Sequence, residues 1–319
     1  MRVSPISPQA ILREGLIVVV KATDHYERTE SILYKTSELA NYIAKIEELA
    51  EGQDCDVYWR GQSNHTWPIT SSLVRRVQKD DLTDRDLSNK EKAILADAKN
   101  WITAETTPDL RTDLEWLAYL QHYWVPTRLI DFTPDAFTAI FFASDSHDEI
   151  DGRLFAVLVK KDDPVLEGDT EYKIESTPSD SVRVFKPKPS VSPRLAAQKG
   201  VFLLGKLPST HVVRWVKDDL LGATRPMLKD EVASVMSLPF SFRPLEQKFR
   251  GTSRAVHSYT ARIHINKPSV RRELRKNGAG RNSLRPDLPV NHAFCYPDVE
   301  GMRRYSPIWS DVFPGVTSI

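Results

Sequence analysis

The chain has 319 residues, of which 40% are hydrophobic and 27% charged, with a net charge of +1. That profile permits one large or two modest globular domains and gives no bulk electrostatic attraction toward nucleic acid or membranes. The two cysteines, Cys55 and Cys295, lie far apart in apolar settings, which argues against a disulfide framework or thiolate metal site and for a reducing, cytoplasmic setting.

Along the chain, the apolar stretch Leu16 to Val20 reads as a short strand, too brief to span a bilayer and without a leader-peptide layout. Residues 35–50 place Leu39, Tyr42, Ile43, Ile46 and Leu49 at helical spacing, with Thr36 or Ser37 as N-cap. Val57-Tyr58-Trp59 reads as a buried strand that ends in Arg60-Gly61-Gln62. Helices are expected over 88–105 and 110–124, the second apolar on more than one face and therefore buried. Arg128 to Phe132 reads as a strand, and Thr133-Pro134-Asp135 as the start of a helix over 136–143. Residues 154–159, LFAVLV, suit a central strand, with further strands at 200–204, 211–216 and 259–265. Strands and helices do not alternate regularly, so the expected class is α+β: a single mixed or antiparallel sheet flanked by helices. Residues 267–285 hold seven basic residues and one acidic one, interrupted by a Gly-Ala-Gly that stops any helix. This run reads either as a solvated face or, through Arg271, Arg272 and Arg275, as a contact for nucleic acid.

Three separated segments put polar groups where the apolar pattern predicts burial: Arg60-Gly61-Gln62; Gln121-His122 with Thr127, Arg128 and Asp131; and Arg194 with Gln198 ahead of Gly200. An unpartnered buried polar group costs on the order of 2–7 kcal/mol, so convergence on one polar pocket accounts for all three. Arg60 offers a planar fork for a phosphate or carboxylate, and Gly61 lets a ligand approach the backbone; alternatively Arg60 pairs internally with Asp131. His122 is a candidate base or a satisfied core histidine, and no second ligand at metal spacing accompanies it. Asp131 needs a partner among Arg60, Arg128 and Thr127, and serves as an orienter or acid. Thr133 caps a helix or walls a pocket, and Gln198 orients a ligand or satisfies loop backbone. Trp59, Trp67, Tyr123 and Phe132 read as core filling or as stacking surfaces. Thirteen glycines form no phosphate cradle, and no Walker loop, dinucleotide fingerprint, zinc spacing or nucleophile elbow is present.

Trp59-Arg60-Gly61-Gln62 with Trp67-Pro68-Ile69 and Ser72-Leu73-Val74-Arg75, together with EWLAYLQHYWVPTRLIDFTPDAFTAIFFAS at 115–144, resembles the FRG domain family. PRLAAQKGVF at 193–202 and AFCYPDVEGMRRY at 293–305 are similar to its later elements, with Trp124 standing where the family usually has glycine. The resemblance implies residues 1–35 as an N-terminal extension, 36–305 as the domain and 306–319 as a tail. The family's motif order is in turn similar to that of ADP-ribosyltransferases. This implies an NAD-type dinucleotide as ligand, and ADP-ribosyl transfer or NAD hydrolysis in a bacterial toxin or anti-phage effector. Carried onto this chain, Arg60 would clamp phosphate or ribose, with Gly61 and Gln62 beside it. Thr133, His122, Gln121, Thr127 and Arg128 would wall the pocket, and Gln198 would meet the ribose. The family's third-motif glutamate is missing, since Gln198 cannot carry negative charge; Asp131, Glu246 or Asp298 would have to supply it. The alternative is a nucleotide or nucleic-acid binding module without chemistry.

Overall fold

The run LFAVLV lies in the middle of a sheet, with both faces covered. The computed structural model describes residues 25–77, 82–102, 108–208, 215–218, 223–227, 229–246, 256–277, 290–299 and 301–302. The strand expected at 16–20, the Gly-Ala-Gly at 278–280 and the tail at 306–319 lie outside the described residues.

The first half of the chain forms β1 (Ser31–Leu33), α1 (Thr36–Glu51), β2 (Cys55–Gln62), α2 (Ser72–Val77), α3 (Asp84–Trp101), α4 (Asp113–His122), β3 (Ile130–Phe132) and α5 (Ala136–Ser144). After these come β4 (Gly152–Lys160), β5 (Leu166–Glu167), β6 (Val182–Lys186), α6 (Pro193–Ala197) and β7 (Val201–Gly205). The last described part holds β8 (Trp215–Asp218), β9 (Ala223–Pro226), α7 (Lys229–Val235), β10 (Phe240–Phe242), β11 (Val256–Ile263), α8 (Lys267–Asn277) and α9 (His292–Cys295).

The class is α+β, as expected, but the main strands divide between two mixed sheets rather than one. The first runs β1-β11-β4-β2, with β10 also on β11; the second runs β3-β7-β6-β5; β8 and β9 form a separate hairpin. In the first, β2 and β11 flank β4 antiparallel, whereas β1 and β10 run parallel to β11. Stacking explains the division. Leu154, Ala156 and Leu158 of β4 face one core with Trp59, α1, α5 and α8. Phe155, Val157 and Val159 face a second core with Ile130, Phe132, Val184 and Leu203 of the other sheet. Beyond that sheet, Phe185, Phe202 and Leu204 meet α3 and α4. The layers therefore read helices, sheet, sheet, helices, and a strand buried on both faces shows no polar alternation.

Helix starts follow from local chemistry. Thr83 and Thr112 each close a capping box, with Asp86 and Glu115, at the heads of α3 and α4. At α1 the N-cap is Lys35, without a side-chain bond, so neither Thr36 nor Ser37 caps it. Within the N-terminal stretch, Tyr26 is fully buried and Glu30 pairs with buried Arg153 at 2.6 Å, tying residues 26–33 into the first sheet.

Among the described residues, one isolated β-bridge joins the two sheets. The Trp59 amide donates to the Thr133 carbonyl at 2.7 Å and the Thr133 amide to the Trp59 carbonyl at 2.9 Å. Beyond it β2 and β3 part, and a cleft opens between them.

Candidate functional site

The cleft has a volume of about 350 Å³, at the small end of the range for small-molecule sites. Its first wall starts at the end of β2. The Arg60 Nη1 donates to the Asp131 carbonyl at 2.8 Å and lies 3.5 Å from the Asp131 carboxylate, while its buried Nε has no partner. Asp131 occupies an outward position on a three-residue strand and its side chain is 59% exposed. Gln121 Nε2 donates to Asp131 Oδ1 at 2.7 Å, and Gln121 Oε1 accepts from the Thr127 hydroxyl, so α4 and the following loop fix the carboxylate's orientation. Thr70 and Arg75 complete this wall. Arg75 donates to the Thr70 carbonyl, and its pKa is lowered by burial and then by the charge of Arg60, against the pull of Asp131. The Thr70 hydroxyl is buried with no hydrogen-bond partner, and the residue is 3% exposed.

The second wall comes from α4, α6 and the segment after α9. Arg194 grips Asp298 through Nε and Nη2, each at 2.8 Å, and the Gly301 amide donates to the same carboxylate at 2.7 Å. Burial would raise the Asp298 carboxyl, but those hydrogen bonds and the guanidinium charge hold it below the ordinary range. His122 lies 4.0 Å from Asp298 through Nε2 and 3.1 Å from the Ser192 hydroxyl through Nδ1. Burial, and then the charge of Arg194, push its pKa down, so the ring is neutral near pH 7. Three guanidinium groups, Arg60, Arg75 and Arg194, thus line the cleft; Arg60 is balanced by Asp131 and Arg194 by Asp298 outside the lining, leaving one surplus positive charge. Such a surplus in a partly enclosed cleft favours an anion.

Among the residues singled out from sequence, Arg60, Gly61, Gln121, His122, Asp131, Thr133 and Gln198 line one cleft. Others do not reach it. Arg128 turns the opposite way into a buried pair with Glu91, Nε to Oε2 2.5 Å, and donates to Ser88 at 3.1 Å. Gln62 is buried and donates to the Pro68 carbonyl at 3.1 Å, and the Thr127 hydroxyl holds Gln121 and accepts from the Leu129 amide at 3.2 Å.

Several lining residues hold different posts from those expected. Gly61 sits under α5, where a Cβ would lie 1.7 Å from the Ala139 carbonyl oxygen, so its bareness serves helix packing. Thr133 does not cap α5. Asp135 does, accepting from the Phe137 amide at 3.2 Å, while the Thr133 hydroxyl donates to the Gln198 carbonyl at 2.8 Å. One N–H of the Gln198 amide is committed to the Cys295 carbonyl at 2.7 Å, which fixes the orientation of the group. Asp131 is exposed, so it needs no buried counter-ion. Glu246 acts electrostatically on Tyr42, Asp298 is held by Arg194, and neither is part of the lining, which makes Asp131 the one carboxylate among the described lining residues.

Sequence reasoning passed over Thr70 and Arg75. They follow the Arg-Gly strand within 15 residues, Thr70 just ahead of the short helix α2 and Arg75 on it, and no periodicity marks that return. Arg271, offered as a nucleic-acid contact, is held by Asp148 at 2.7 and 2.8 Å, while Arg272 is exposed. Among the described residues no three His, Cys, Asp or Glu side chains group as metal ligands, and no helix is long and apolar enough to cross a membrane.

Fold and cleft define an α+β protein with a cationic, partly enclosed hollow where two sheets part. Residues 55–152, which run from β2 to the first residue of β4, match the FRG domain, and the chain carries that domain. No curated protein and no solved structure matches the chain.

Proposed function

We propose that the cleft binds an NAD-type dinucleotide as substrate and transfers or hydrolyses its ADP-ribosyl group. The observation behind this reading is that Arg60 and Arg75 share a cleft with a single lining carboxylate, Asp131. The donors fit a phosphate: Arg60 Nε and the Thr70 hydroxyl are buried without partners, and both groups serve an anionic oxygen well. A hollow of about 350 Å³ accommodates one nucleotide unit of the substrate rather than both. In the reaction the bond from ribose to the nicotinamide nitrogen breaks, its electron pair leaves with nicotinamide, and water or an acceptor group makes the new bond. Asp131, oriented by Gln121, stabilises positive charge on the ribose side and takes the proton released by the attacking group. His122, kept neutral, walls the pocket without repelling that charge. An NAD-consuming activity would suit a bacterial toxin or anti-phage effector.

The test is release of nicotinamide from NAD by the pure protein, with melting temperature followed as NAD is added. Arg60→Ala is expected to weaken binding, and Asp131→Asn to lower turnover with binding retained. No turnover and no NAD-induced rise in melting temperature would remove this function.

One observation favours a second reading, binding without chemistry. Gln198 stands where the resemblance expects a carboxylate, and its amide is already engaged with Cys295. Nucleotide binding with no nicotinamide release distinguishes this module from the enzyme. Its nucleic-acid form would rely on Arg272 and Arg275, since Asp148 already neutralises Arg271. Salt-dependent binding to DNA or RNA that survives the loss of both charges would dismiss that form.

A further inference from the structure

Helix α4 ends at His122 with Tyr123 as its C-cap, and the chain leaves through a left-handed residue, Trp124, at φ 67°. The Trp124 amide donates to the Gln121 carbonyl at 3.0 Å and the Val125 amide to the Leu120 carbonyl at 3.1 Å, so this is the closing turn of the helix. Glycine is the usual residue at such a turn, because any Cβ is crowded there. Tryptophan is the largest side chain that could occupy it, and core packing does not account for its presence, since the residue is 70% exposed. It stands at the edge of the same cleft that holds Arg60, Arg75 and Asp131. A strained backbone that carries a large exposed ring at the mouth of a ligand cleft points to a task for the ring.

We infer that Trp124 is the stacking platform for the aromatic base of a nucleotide whose phosphate is held by Arg60 and Arg75. This inference rests on the nucleotide reading of the cleft. An indole face stacks on any heterocyclic base and adds affinity without needing hydrogen bonds to it. Adenine and nicotinamide share that chemistry, and the choice between them is made by experiment.

Wild type, Trp124→Gly and Trp124→Phe are titrated calorimetrically with AMP, nicotinamide mononucleotide and ribose 5-phosphate. Trp124→Gly is expected to melt within a few degrees of wild type, because glycine suits the left-handed turn. It should lose about 5- to 150-fold in affinity for the base-bearing ligand while its affinity for ribose 5-phosphate stays constant. Trp124→Phe should recover most of the loss. A loss confined to AMP identifies adenine as the stacked base, and one confined to the mononucleotide identifies nicotinamide. Unchanged affinities in Trp124→Gly, as a ring devoted to a protein contact would give, overturn the platform and leave the nucleotide cleft standing. An equal loss for ribose 5-phosphate also overturns the platform. A wild type that binds none of the three ligands removes the nucleotide reading and the platform with it.

Discussion

Replacing Gly61 with alanine tests whether this glycine serves a ligand or the packing of α5. A Cβ there would lie 1.7 Å from the Ala139 carbonyl oxygen and 2.7 Å from the Ala143 nitrogen, whereas ordinary contact begins at 3.4 Å. Both obstacles are backbone, so no side chain can swing aside; α5 itself must retreat from β2. Overpacking a rigid core costs about 1–3 kcal/mol. A displaced α5 also loses contacts of Ala136, Ala139, Ile140 and Ala143 in the first core, which brings the expected loss to about 3 kcal/mol or more. Gly52 supplies the control. It closes α1 at φ −63°, and a Cβ there meets its nearest neighbour at 3.4 Å, so alanine is expected to be neutral or to stabilise by about 0.4–1 kcal/mol. Urea unfolding followed by circular dichroism measures both variants. A Gly61→Ala protein as stable as wild type, defective only toward nucleotides, would refute the packing argument and return this glycine to the ligand.

Acidification should destabilise the fold. Burial lowers the pKa of His65 and His122 and, with the Arg243 charge, pushes His257 down to about 4. Between pH ~6.5 and ~4 the unfolded chain therefore binds protons that the folded chain refuses, so stability is complete above the range and falls as pH drops through it. Urea midpoints against pH should show this slope, and His257→Asn should flatten its lower part. In Asp298→Asn, a second expected outcome, the buried Arg194 loses its counter-charge at a cost of about 2–3 kcal/mol, less than for a fully sealed pair because Asp298 stays partly exposed. The same change removes a carboxylate that raises the His122 pKa, so an NMR titration should find that histidine shifted further down. Arg271→Ala should cost about 1–2 kcal/mol in thermal unfolding by freeing α8 from Asp148 and the Ser144 carbonyl. Exposed Arg272→Ala should stay within about 0.5 kcal/mol of wild type.

Local patterns carried much of the architecture. The spacing of Leu39, Tyr42, Ile43 and Ile46 marks the buried face of α1, and the unbroken apolar run at 154–159 marks the twice-covered β4. Polar groups set among apolar ones led to the cleft: Arg60, Gln121, His122, Asp131 and Gln198 do share one lining. Direction was harder to read. Arg128 and Asp131 are three residues apart, yet one plunges toward Glu91 and the other faces the open seam. That choice depends on where α3 lies, which local sequence does not encode. Likewise Thr133-Pro134-Asp135 reads as a helix start, and the cap lies two residues on, at Asp135, because the Thr133 hydroxyl is taken up by the Gln198 carbonyl and the Asp135 amide. The division into two sheets was hidden for the same reason: strand pairing at long range leaves no periodic trace.

Walking from one terminus to the other, the polypeptide passes back and forth between the two β-layers: β2 in one, β3 in the other, β4 in the first, β5 to β7 in the second, β10 and β11 in the first again. Neither layer is a contiguous piece that could be cut out, grafted or lost alone. The matched span 55–152 contributes just the strands that meet at the junction, while the frames holding them, β6 with β7 and β11, come from later in the chain. Trimming to that span would strip β3 of its hydrogen-bonded neighbour β7 and β2 of its neighbour β4, leaving the hollow without the scaffold that keeps its walls apart.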